Sequence, residues 1–327
     1  MNDAAVSPRV GVLFGSGGID PIAIAETAAK MEDLGVSELW ASEDYFYTGG
    51  IAAATIALTA TQTIAVGTGV LPIYTRHPSL AAMEAATLAR AFPGRFRLGV
   101  GTGVPKWLDQ MGIGHHRPLE PTAEYIEALR ALGAGNQLST GQFRHFHTDS
   151  IRLHDSAPFP VYLGAIGPNM LRLGAERADG VILSVLASPD YVRWARQLLQ
   201  QRGSGGEGKP LVTFAMFACH EDGAVARAQA RRRLSARLRR VTRMTDFLGL
   251  SDEIQSRADM TDEEFEAWMP DEWRQMLTVS GDPAECAASI RRLTDSGSSS
   301  VTLHACDPQT VLSQVAALLT EINVTHR

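Results

Sequence analysis

Residues 64–103 have the sequence IAVGTGVLPIYTRHPSLAAMEAATLARAFPGRFRLGVGTG, and this stretch decides the fold class. The apolar, β-branched run from Ile64 to Val70 predicts a strand. A helix is predicted to begin at His77-Pro78 and to run to Ala91, where Pro93-Gly94 stops it. The run from Phe96 to Val100 predicts the next strand. This order of strand, helix and strand is typical of parallel strands joined by a crossover helix.

The same alternation extends along almost the whole chain, with a plausible helix after each strand. The predicted strands are Val10 to Phe14, Glu38 to Ala41, Ile64 to Val70, Phe96 to Val100, Val161 to Ala165, Gly180 to Leu183, Leu211 to Ala218 and Ser300 to His304. Dividing the 327 residues by eight units gives about 41 residues per unit, which suits a barrel with insertions. We therefore predict an α/β fold, a (β/α)8 TIM barrel forming one domain over residues 1–327.

A doubly wound open sheet is the alternative fold. Such a sheet normally carries a glycine-rich phosphate turn after its first strand. Here Gly15-Ser16-Gly17-Gly18 is followed by Ile19-Asp20-Pro21, which does not match the required spacing. At the start of the first helix, Asp20 is expected to be the N-cap, with Pro21 as the first helical residue.

Insertions are predicted near residues 141–155 and 245–280. Phe143, His145 and His147 alternate within Gly141 to Asp155, which predicts an inserted hairpin or strand. The acidic segment Ser251 to Glu272 is expected to be helical. The basic stretch at residues 231–240, RRRLSARLRR, is interpreted as a helix face turned toward this acidic insertion, with a phosphate or nucleic-acid patch as the alternative.

Composition excludes several classes of protein. With 45% hydrophobic and 20% charged residues, the chain is too apolar to be disordered. The 30 basic and 36 acidic residues give a net charge of -6, which argues against a nucleic-acid partner. No secretory signal and no apolar run of roughly 20 residues are present, so we expect a cytoplasmic protein without a membrane partner. The spacings of Cys219, Cys286 and Cys306 predict neither a disulfide framework nor a metal site.

In a barrel, functional residues belong at the carboxyl ends of the strands. Glu43 and Asp44 follow the second predicted strand, and because side chains alternate along a strand, one of the two carboxylates can face the barrel mouth. Such a carboxylate can bind a cofactor ring or move a proton, whereas the alternatives are a surface acid or a helix cap. His77 is expected to cap the third helix, with a catalytic role as the alternative. The glycines of Gly164 to Asn169 precede a helix and can form a nest for an anion.

Three segments together resemble one known family. They are residues 64–103 quoted above, AAKMEDLGVSELWASEDYF at Ala28 to Phe46, and VYLGAIGPNMLRLGAERADGVILS at Val161 to Ser184. They are similar to the bacterial-luciferase-like flavin and deazaflavin oxidoreductases, in particular to the coenzyme F420-dependent branch related to methylenetetrahydromethanopterin reductase. The resemblance covers the first six predicted strands; beyond about Leu186 it is one of pattern only.

The resemblance implies a (β/α)8 barrel that binds coenzyme F420, or alternatively FMN, at its mouth. It implies a non-prolyl cis peptide at Gly69-Val70 behind the ring and a phosphate-binding turn at Gly164 to Met170, and family habit favours a homodimer. Where many relatives have an Asp-His pair after the second strand, this chain has Glu43-Asp44, which places a histidine-based proton transfer in doubt. The predicted cofactor-binding residues are Gly67, Thr68, Gly69, Val70, Arg76, His77, Gly101, Thr102, Gly103, Val104, Gly164, Ala165, Ile166, Gly167, Pro168 and Asn169.

The leading functional hypothesis is an F420-dependent oxidoreductase that transfers a hydride between deazaflavin C5 and a small organic substrate. Asp44 is the first candidate for the catalytic residue and Glu43 the second. An FMN-dependent monooxygenase and a non-catalytic flavin-binding barrel are the alternatives; in the last, Ser251 to Glu272 would be an interaction surface. We expect substrate choice to depend on Gly141 to Asp155, on Val104 to His116 with Trp107, and on the late insertion.

Overall fold

The computed structural model of the chain describes residues 8–15, 19–114, 117–201, 203–240 and 242–325. Ser16, Gly17 and Gly18 of the first predicted loop lie outside the described residues, as do His115 and His116. Over the described residues the strands are β1 Val10–Phe14, β2 Glu38–Ala41, β3 Ala65–Thr68, β4 Leu71–Pro72, β5 Phe96–Gly101, β6 Val161–Ala165, β7 Gly180–Leu183, β8 Leu211–Cys219, β9 Thr278–Gly281 and β10 Ser300–Ala305.

The helices alternate with these strands, as the sequence predicts. In the described part of the chain they are α1 Ile24–Asp33, α2 Gly50–Ala60, α3 Pro78–Ala91, α4 Pro105–Gln110, α5 Leu119–Gly133, α6 Pro168–Arg177, α7 Pro189–Gln200, α8 Gly223–Leu238, α9 Thr242–Phe247, α10 Ser251–Gln255, α11 Asp262–Trp268, α12 Asp271–Leu277, α13 Pro283–Asp295 and α14 Val311–Thr325. Short 3-10 turns precede α1 and α14. Asp20 caps the first of them, accepting a hydrogen bond from the amide of Ile22 at 3.0 Å, so the predicted N-cap is confirmed.

All eight predicted strands are confirmed to within two residues at each end. The third differs most from the prediction, because residues 64–70 do not form one continuous strand. β3 ends at Thr68, and the chain pairs again only at β4. The amide of Gly69 still donates to the carbonyl of Ala41 in β2 at 2.7 Å. On the β5 side, the side-chain hydroxyl of Thr68 bonds the amide and the carbonyl of Gly99, so the backbone pairing with β5 is interrupted there. β9 was not predicted.

Two compact units of the chain can be described separately. The first consists of residues 13–182 and 198–210. Its strands run in the order β2, β3, β5, β6, β7, with β4 paired to β5. The pairings are parallel, with Trp40 opposite Gly67 and Val100 opposite Leu163. Parallel strands joined by helices have both faces covered, which explains why these strands are almost wholly buried.

Packing between β2 and β3 requires glycine at position 67. The fully buried ring of Trp40 lies over it, so a Cβ at position 67 would be 2.5 Å from Cζ3 of the indole. The indole N–H donates to the buried carboxylate of Glu38 at 3.0 Å, and Arg97 neutralises that carboxylate. A buried charge is tolerated only when it is paired in this way.

The second unit consists of residues 8–12, 183–197 and 211–325, within the described part of the chain. Its strands pair in parallel in the order β1, β10, β8, β9. Val10 lies opposite Val301, Leu303 opposite Ala215, and Phe217 opposite Val279. The free thiols of Cys219 and Cys286 are buried here, and Cys306 is partly buried. The single domain expected over residues 1–327 stays a prediction.

At residues 141–155, where a hairpin or inserted strand was predicted, no regular strand forms, although antiparallel backbone hydrogen bonds join Leu138 to Ile151 and Gly141 to Thr148. The segment is an irregular loop whose base is closed by one antiparallel bridge between Leu138 and Ile151. Its backbone has other partners: the amides of Arg144 and His145 donate to the carboxylate of Glu124 on α5. Because a side chain satisfies these amides, they are not available to a neighbouring strand.

The basic stretch at residues 231–240 does face the acidic insertion, as expected. Arg231 donates to the carbonyls of Glu266, Ala267 and Met269 at the end of α11. Arg239 donates to the carbonyls of Met260 and Thr261 and pairs with Asp262 at 3.2 Å. Cations at the carboxyl end of a helix compensate its unpaired carbonyls, so α8 and the insertion hold each other.

Among the helices of the described residues, none combines the length and the apolar character that crossing a bilayer requires. The described residues also contain no group of three or more His, Cys, Asp or Glu side chains placed to hold a metal ion.

Candidate active site

The segment after β2 carries the two predicted catalytic carboxylates. Its path is fixed by the amide of Ser42, which donates to the carbonyl of Phe14 at 2.9 Å. Gly15 has φ +117°, and a Cβ there would lie 2.4 Å from Oγ of Ser42, so only glycine permits this close approach. The ends of β1 and β2 are thereby held together directly before Glu43 and Asp44.

Both carboxylate oxygens of Glu43 are occupied by fixed partners. The side chain is 8% exposed. One oxygen accepts the amide of Gly50, the first residue of α2, at 3.0 Å, and the other pairs with Nη1 of Arg76 at 3.0 Å. Because each oxygen has a fixed partner within the protein, Glu43 is a positioning group that ties the β2 loop to α2 and to Arg76.

Arg76 lies between two carboxylates, since its Nε also pairs with Glu84 of α3 at 3.1 Å. Burial alone would lower the pKa of Arg76, but the charges of Glu43 and Glu84 raise it. The backbone carbonyl of Arg76 accepts the hydroxyl of Tyr125 at 3.0 Å. The guanidinium predicted to meet an anionic cofactor is thus already balanced by acids of the protein itself.

His77 caps α3, as predicted. Its Nδ1 accepts the amide of Ser79 at 3.2 Å, and its Nε2 is 2.9 Å from the carbonyl of His147. The neutral tautomer protonated on Nε2 satisfies both contacts. Both ring nitrogens are therefore used in holding the loop at residues 141–155 to the start of α3.

Asp44 lies at the turn after β2 and is half-buried. Its carbonyl accepts the amide of Tyr47 at 2.9 Å. The next residue, Tyr45, is joined to Thr75 by a hydrogen bond between their hydroxyls at 2.6 Å. The Tyr45-Phe46 peptide bond is cis, a feature that the sequence did not indicate.

Val70 brings three strand ends together. The Gly69-Val70 peptide is cis, as the resemblance implied. A Cβ at position 101 would lie 2.7 Å from Cγ2 of Val70, and one at position 164 would lie 3.1 Å from its Cγ1. Only glycine at 101 and 164 therefore accepts Val70 without movement. The result is a surface of backbone, bearing one small side chain, at the carboxyl ends of β3, β5 and β6.

The other predicted residues near β3 and β5 have different surroundings. Thr68 is fully buried, and its hydroxyl bonds the amide and the carbonyl of Gly99. Gly67 packs against Trp40, so Gly67 and Thr68 both lie within the core. Gly103 has φ +71°, and Thr102 beside it is half-buried. Val104, which follows, is 41% exposed.

The turn from Gly164 to Asn169 leads into α6. Gly167 is its N-cap, with φ +83° and no side-chain cap, and a Cβ added there would meet nothing within 4 Å. The first amides of a helix have no partner inside the helix, and together they attract an anion. Ala165 is buried and Ile166 half-buried, whereas Asn169 is exposed after Pro168. The geometry is that of an open, electropositive helix start.

Sequence reasoning missed several polar and aromatic groups around this region. Glu84 and Tyr125 complete the surroundings of Arg76, but they lie on helices without any local signal. The hydroxyl of Tyr74 is buried and has no hydrogen-bond partner among the described residues. The aromatic run Tyr45-Phe46-Tyr47, separated from the end of β2 by three residues, is visible in the sequence as a signal for this region.

Residues 5–300 match the model of the family described as luciferase-like monooxygenase. The chain belongs to this family. Among proteins of similar sequence, a 5,10-methylenetetrahydromethanopterin reductase of Methanolobus tindarius is 31% identical over 216 residues, which are 64% of this chain and 66% of that protein. The chain therefore spans just under two thirds of that relative's length. An F420-dependent glucose-6-phosphate dehydrogenase of Tsukamurella paurometabola is 26% identical over 89% of each chain.

One solved structure has the same fold as this chain. The coenzyme F420 dependent tetrahydromethanopterin reductase from Methanopyrus kandleri matches with a TM-score of 0.84 at 19% identity, over 98% of this chain and all of that one. The luciferase-like chain thus has a TIM-barrel α/β fold. The predicted fold class is confirmed, and the doubly wound open sheet is excluded.

Proposed function

We propose that this protein is a coenzyme F420-dependent oxidoreductase that transfers a hydride between deazaflavin C5 and a small organic substrate. The observation that carries the proposal is the surface formed by Val70 between Gly101 and Gly164. A planar ring system needs a wall without projecting side chains, and these three strand ends supply one. The relatives named as F420-dependent proteins support the same choice of cofactor.

The residues present fit such a cofactor at both of its ends. Gly69, Val70 and Gly101 would hold the ring. Gly164 to Asn169 would hold the phosphate through the first amides of α6, with Gly167 leaving the approach open. When bound, the deazaflavin supplies the hydride chemistry, whereas the protein supplies orientation and electrostatics.

Asp44 is our proposed proton-handling residue. The partners of Glu43 already hold both of its oxygens, so Glu43 cannot take this role without breaking its pairing with Arg76 and Gly50. Asp44 is the adjacent carboxylate, half-buried at the end of β2. A positioned carboxylate of this kind can hydrogen-bond a cofactor ring or exchange a proton with a substrate. Glu43 then acts on the site only by fixing the loop.

Direct titration tests the proposal. The purified protein is titrated with F420 and with FMN, each oxidised and reduced, and binding is followed by the change in cofactor absorbance or fluorescence. Saturable F420 binding is expected. Tight FMN binding without F420 binding would contradict the proposal and would favour a flavin monooxygenase. Binding of F420 without turnover of any carbonyl, alcohol or alkene tested would favour a non-catalytic barrel.

We also propose that the protein assembles as a homodimer and that it is located in the cytoplasm. Sedimentation velocity tests the first and cell fractionation the second.

A further inference from the structure

A group of aromatic and apolar side chains lies on the segments that follow β2 and β5, the second of which continues from Gly101 of the proposed cofactor surface. We call it the aromatic wall and define it as Tyr45, Phe46, Tyr47, Val104 and Trp107. Tyr45, Phe46 and Tyr47 follow β2 directly after Asp44, whereas Val104 and Trp107 come from the start of α4 after β5. The wall therefore joins two strand ends of the same unit, next to the carboxylate to which we assign the proton.

Tyr45 holds the two parts of the wall together. Thr75 can donate to the carbonyl of Pro72 at 3.1 Å and accept from the hydroxyl of Tyr45 at 2.6 Å. The polar end of Tyr45 is thus satisfied, and only its ring remains for contact. That ring meets Trp107 edge to face, with centroids 6.2 Å apart, and lies 5.9 Å from the ring of Phe46. Such pairs are favourable arrangements of aromatic rings.

The wall is unusually exposed for side chains of this size. Phe46 and Tyr47 are each 66% exposed, and Val104 is 41% exposed. Contiguous exposed apolar side chains mark a surface that another molecule covers. Among the described residues, neither the indole N–H of Trp107 nor the hydroxyl of Tyr47 has a hydrogen-bond partner, so the wall also offers two donors.

The charges around the wall disfavour an anionic ligand. In the segments that carry it, residues 42–47, 70–77 and 101–111, the basic side chains are Arg76, which two carboxylates already pair, and the exposed Lys106 of α4. The acids of these segments are Glu43, which pairs with Arg76, together with Asp44 and Asp109. A phosphate or carboxylate on the ligand would find no buried cation here to replace its hydration.

We propose that the aromatic wall is the substrate surface of the protein and that it takes an uncharged, apolar substrate, aromatic or conjugated, with a carbonyl oxygen as its single polar group. The ligand stacks or packs on Phe46, Tyr47 and Val104, and its oxygen accepts the free indole N–H of Trp107. The identification of the ligand as a substrate rests on the proposed function; the binding preference does not.

A matched pair of ligands tests the preference. Isothermal titration calorimetry compares benzylideneacetone, an uncharged aromatic enone, with the same molecule bearing a para-carboxylate. Both are titrated into the protein with and without saturating F420. The uncharged probe is expected to bind at least tenfold more tightly than its carboxylate. Equal affinities, tighter binding of the carboxylate, or no binding of either probe would overturn the proposal.

Variants locate the binding. Phe46→Ala and Trp107→Ala should each weaken binding of the uncharged probe about tenfold, which corresponds to the loss of one aromatic contact. Trp107→Phe should retain more affinity than Trp107→Ala. Leu80→Ala is the control, because Leu80 is a 50% exposed apolar side chain on α3 outside the wall. An equal loss in Leu80→Ala, or unchanged binding in both wall variants, would contradict the assignment.

The two proposals fail in distinguishable ways. If the uncharged probe binds at the wall but F420 does not bind, the proposed cofactor is wrong and the wall stands. If F420 binds and the probes do not discriminate, the wall proposal is wrong and the cofactor stands. Should Phe46→Ala and Tyr47→Ala instead convert a dimer into monomers in sedimentation velocity, with no probe binding to either form, the wall is an interface between two copies and the proposal is refuted.

Discussion

Val70 and the two glycines beside it show how single atoms determine the shape of the proposed cofactor surface. A side chain at position 101 would enter the space of the Val70 methyl groups. So close a contact forces either Val70 or the end of β5 to move, and overpacking of this kind usually costs about 1–3 kcal/mol of folding free energy. The consequence falls on ligand binding as well as on stability.

We therefore expect Gly101→Ala to destabilise the protein by about 1–3 kcal/mol and to weaken F420 binding at least tenfold. Gly101→Ala combined with Val70→Ala should recover stability, because the shorter side chain removes the contact. Urea unfolding and F420 titration measure the two effects. Gly114→Ala is the control, since a Cβ at position 114 meets nothing within 4 Å. A Gly101→Ala protein as stable as the control would contradict the packing argument.

Asp44 and Glu43 should respond differently to removal of their charge. Asp44→Asn is expected to keep F420 affinity within about threefold but to lower kcat at least a hundredfold, the usual range for loss of a general acid or base. Glu43→Gln should instead destabilise the fold by about 1–3 kcal/mol, because Arg76 loses one of its two partners. Steady-state kinetics, F420 titration and urea unfolding separate these results. An unchanged kcat in Asp44→Asn would remove Asp44 from the proton step.

At the scale of elements, the contact between α8 and the end of α11 depends on one arginine. Arg231 reaches three carbonyls there, and helix-end carbonyls have no partners within their own helix. The presence of Arg231 in the basic stretch is thus explained by the helix end that it satisfies within its own unit, without reference to any ligand.

Replacing that arginine should loosen the insertion locally. Arg231→Met is expected to increase amide hydrogen exchange across residues 262–277 at least tenfold, which corresponds to the loss of about 1.5–3 kcal/mol of charged hydrogen bonds. Mass spectrometry of exchange in the native state measures the effect. Arg232→Met is the matched control, since Arg232 is 79% exposed and its one ionic contact, with Glu266, is long at 4.0 Å. Equal exchange in the two variants would show that Arg231 does not hold the insertion.

For the whole molecule, several carboxylates favour the ionised form in the folded state and so link stability to pH. Burial alone would raise the pKa of Glu32, but the amides of Gln62, Thr63 and Ile64 donate to it and lower that pKa from 4.5 to about 2. Hydrogen bonds from Arg274 lower the pKa of Asp271. Burial alone would raise the pKa of Glu124, but hydrogen bonds from His145 and from the amide of Arg144 lower it, and the net effect is a decrease. Below pH 4.5 these three carboxylates therefore bind more protons in the unfolded chain than in the folded one.

Stability is accordingly expected to be fully present above pH 4.5 and to fall as the pH decreases toward 2. Glu32→Gln should lower the free energy of unfolding at pH 7 by about 1–3 kcal/mol and should flatten its decline between pH 4.5 and 2. Urea unfolding across this range provides the measurement. Glu120→Gln, on the exposed start of α5, is the control and should follow the wild-type curve. A wild-type slope retained in Glu32→Gln would contradict the assignment.

The alternation of strands and helices could be predicted because local signals mark each element: apolar runs mark the strands, and proline and glycine mark the helix ends, as in residues 64–103. β9 could not, since Thr278–Gly281 is four residues long and directly follows α12 without a turn signal. The loop at residues 141–155 was misjudged because its amides bond Glu124, some 20 residues earlier in the chain. At the site, glycine-rich strand ends were visible, whereas the pairing of Arg76 with Glu43 and Glu84 depends on tertiary packing that no local pattern encodes.

The native cysteines of this chain have a practical consequence. Burial shields Cys219 and Cys286 from alkylating reagents, and it raises the pKa of the partly buried Cys306 to about 12, which keeps that thiol in its unreactive protonated form. A single cysteine introduced at an exposed position of the 141–155 loop, such as Ser150, would therefore carry a maleimide spin label or fluorophore almost exclusively. The loop can therefore be labelled for spectroscopy in a protein that keeps its three native cysteines.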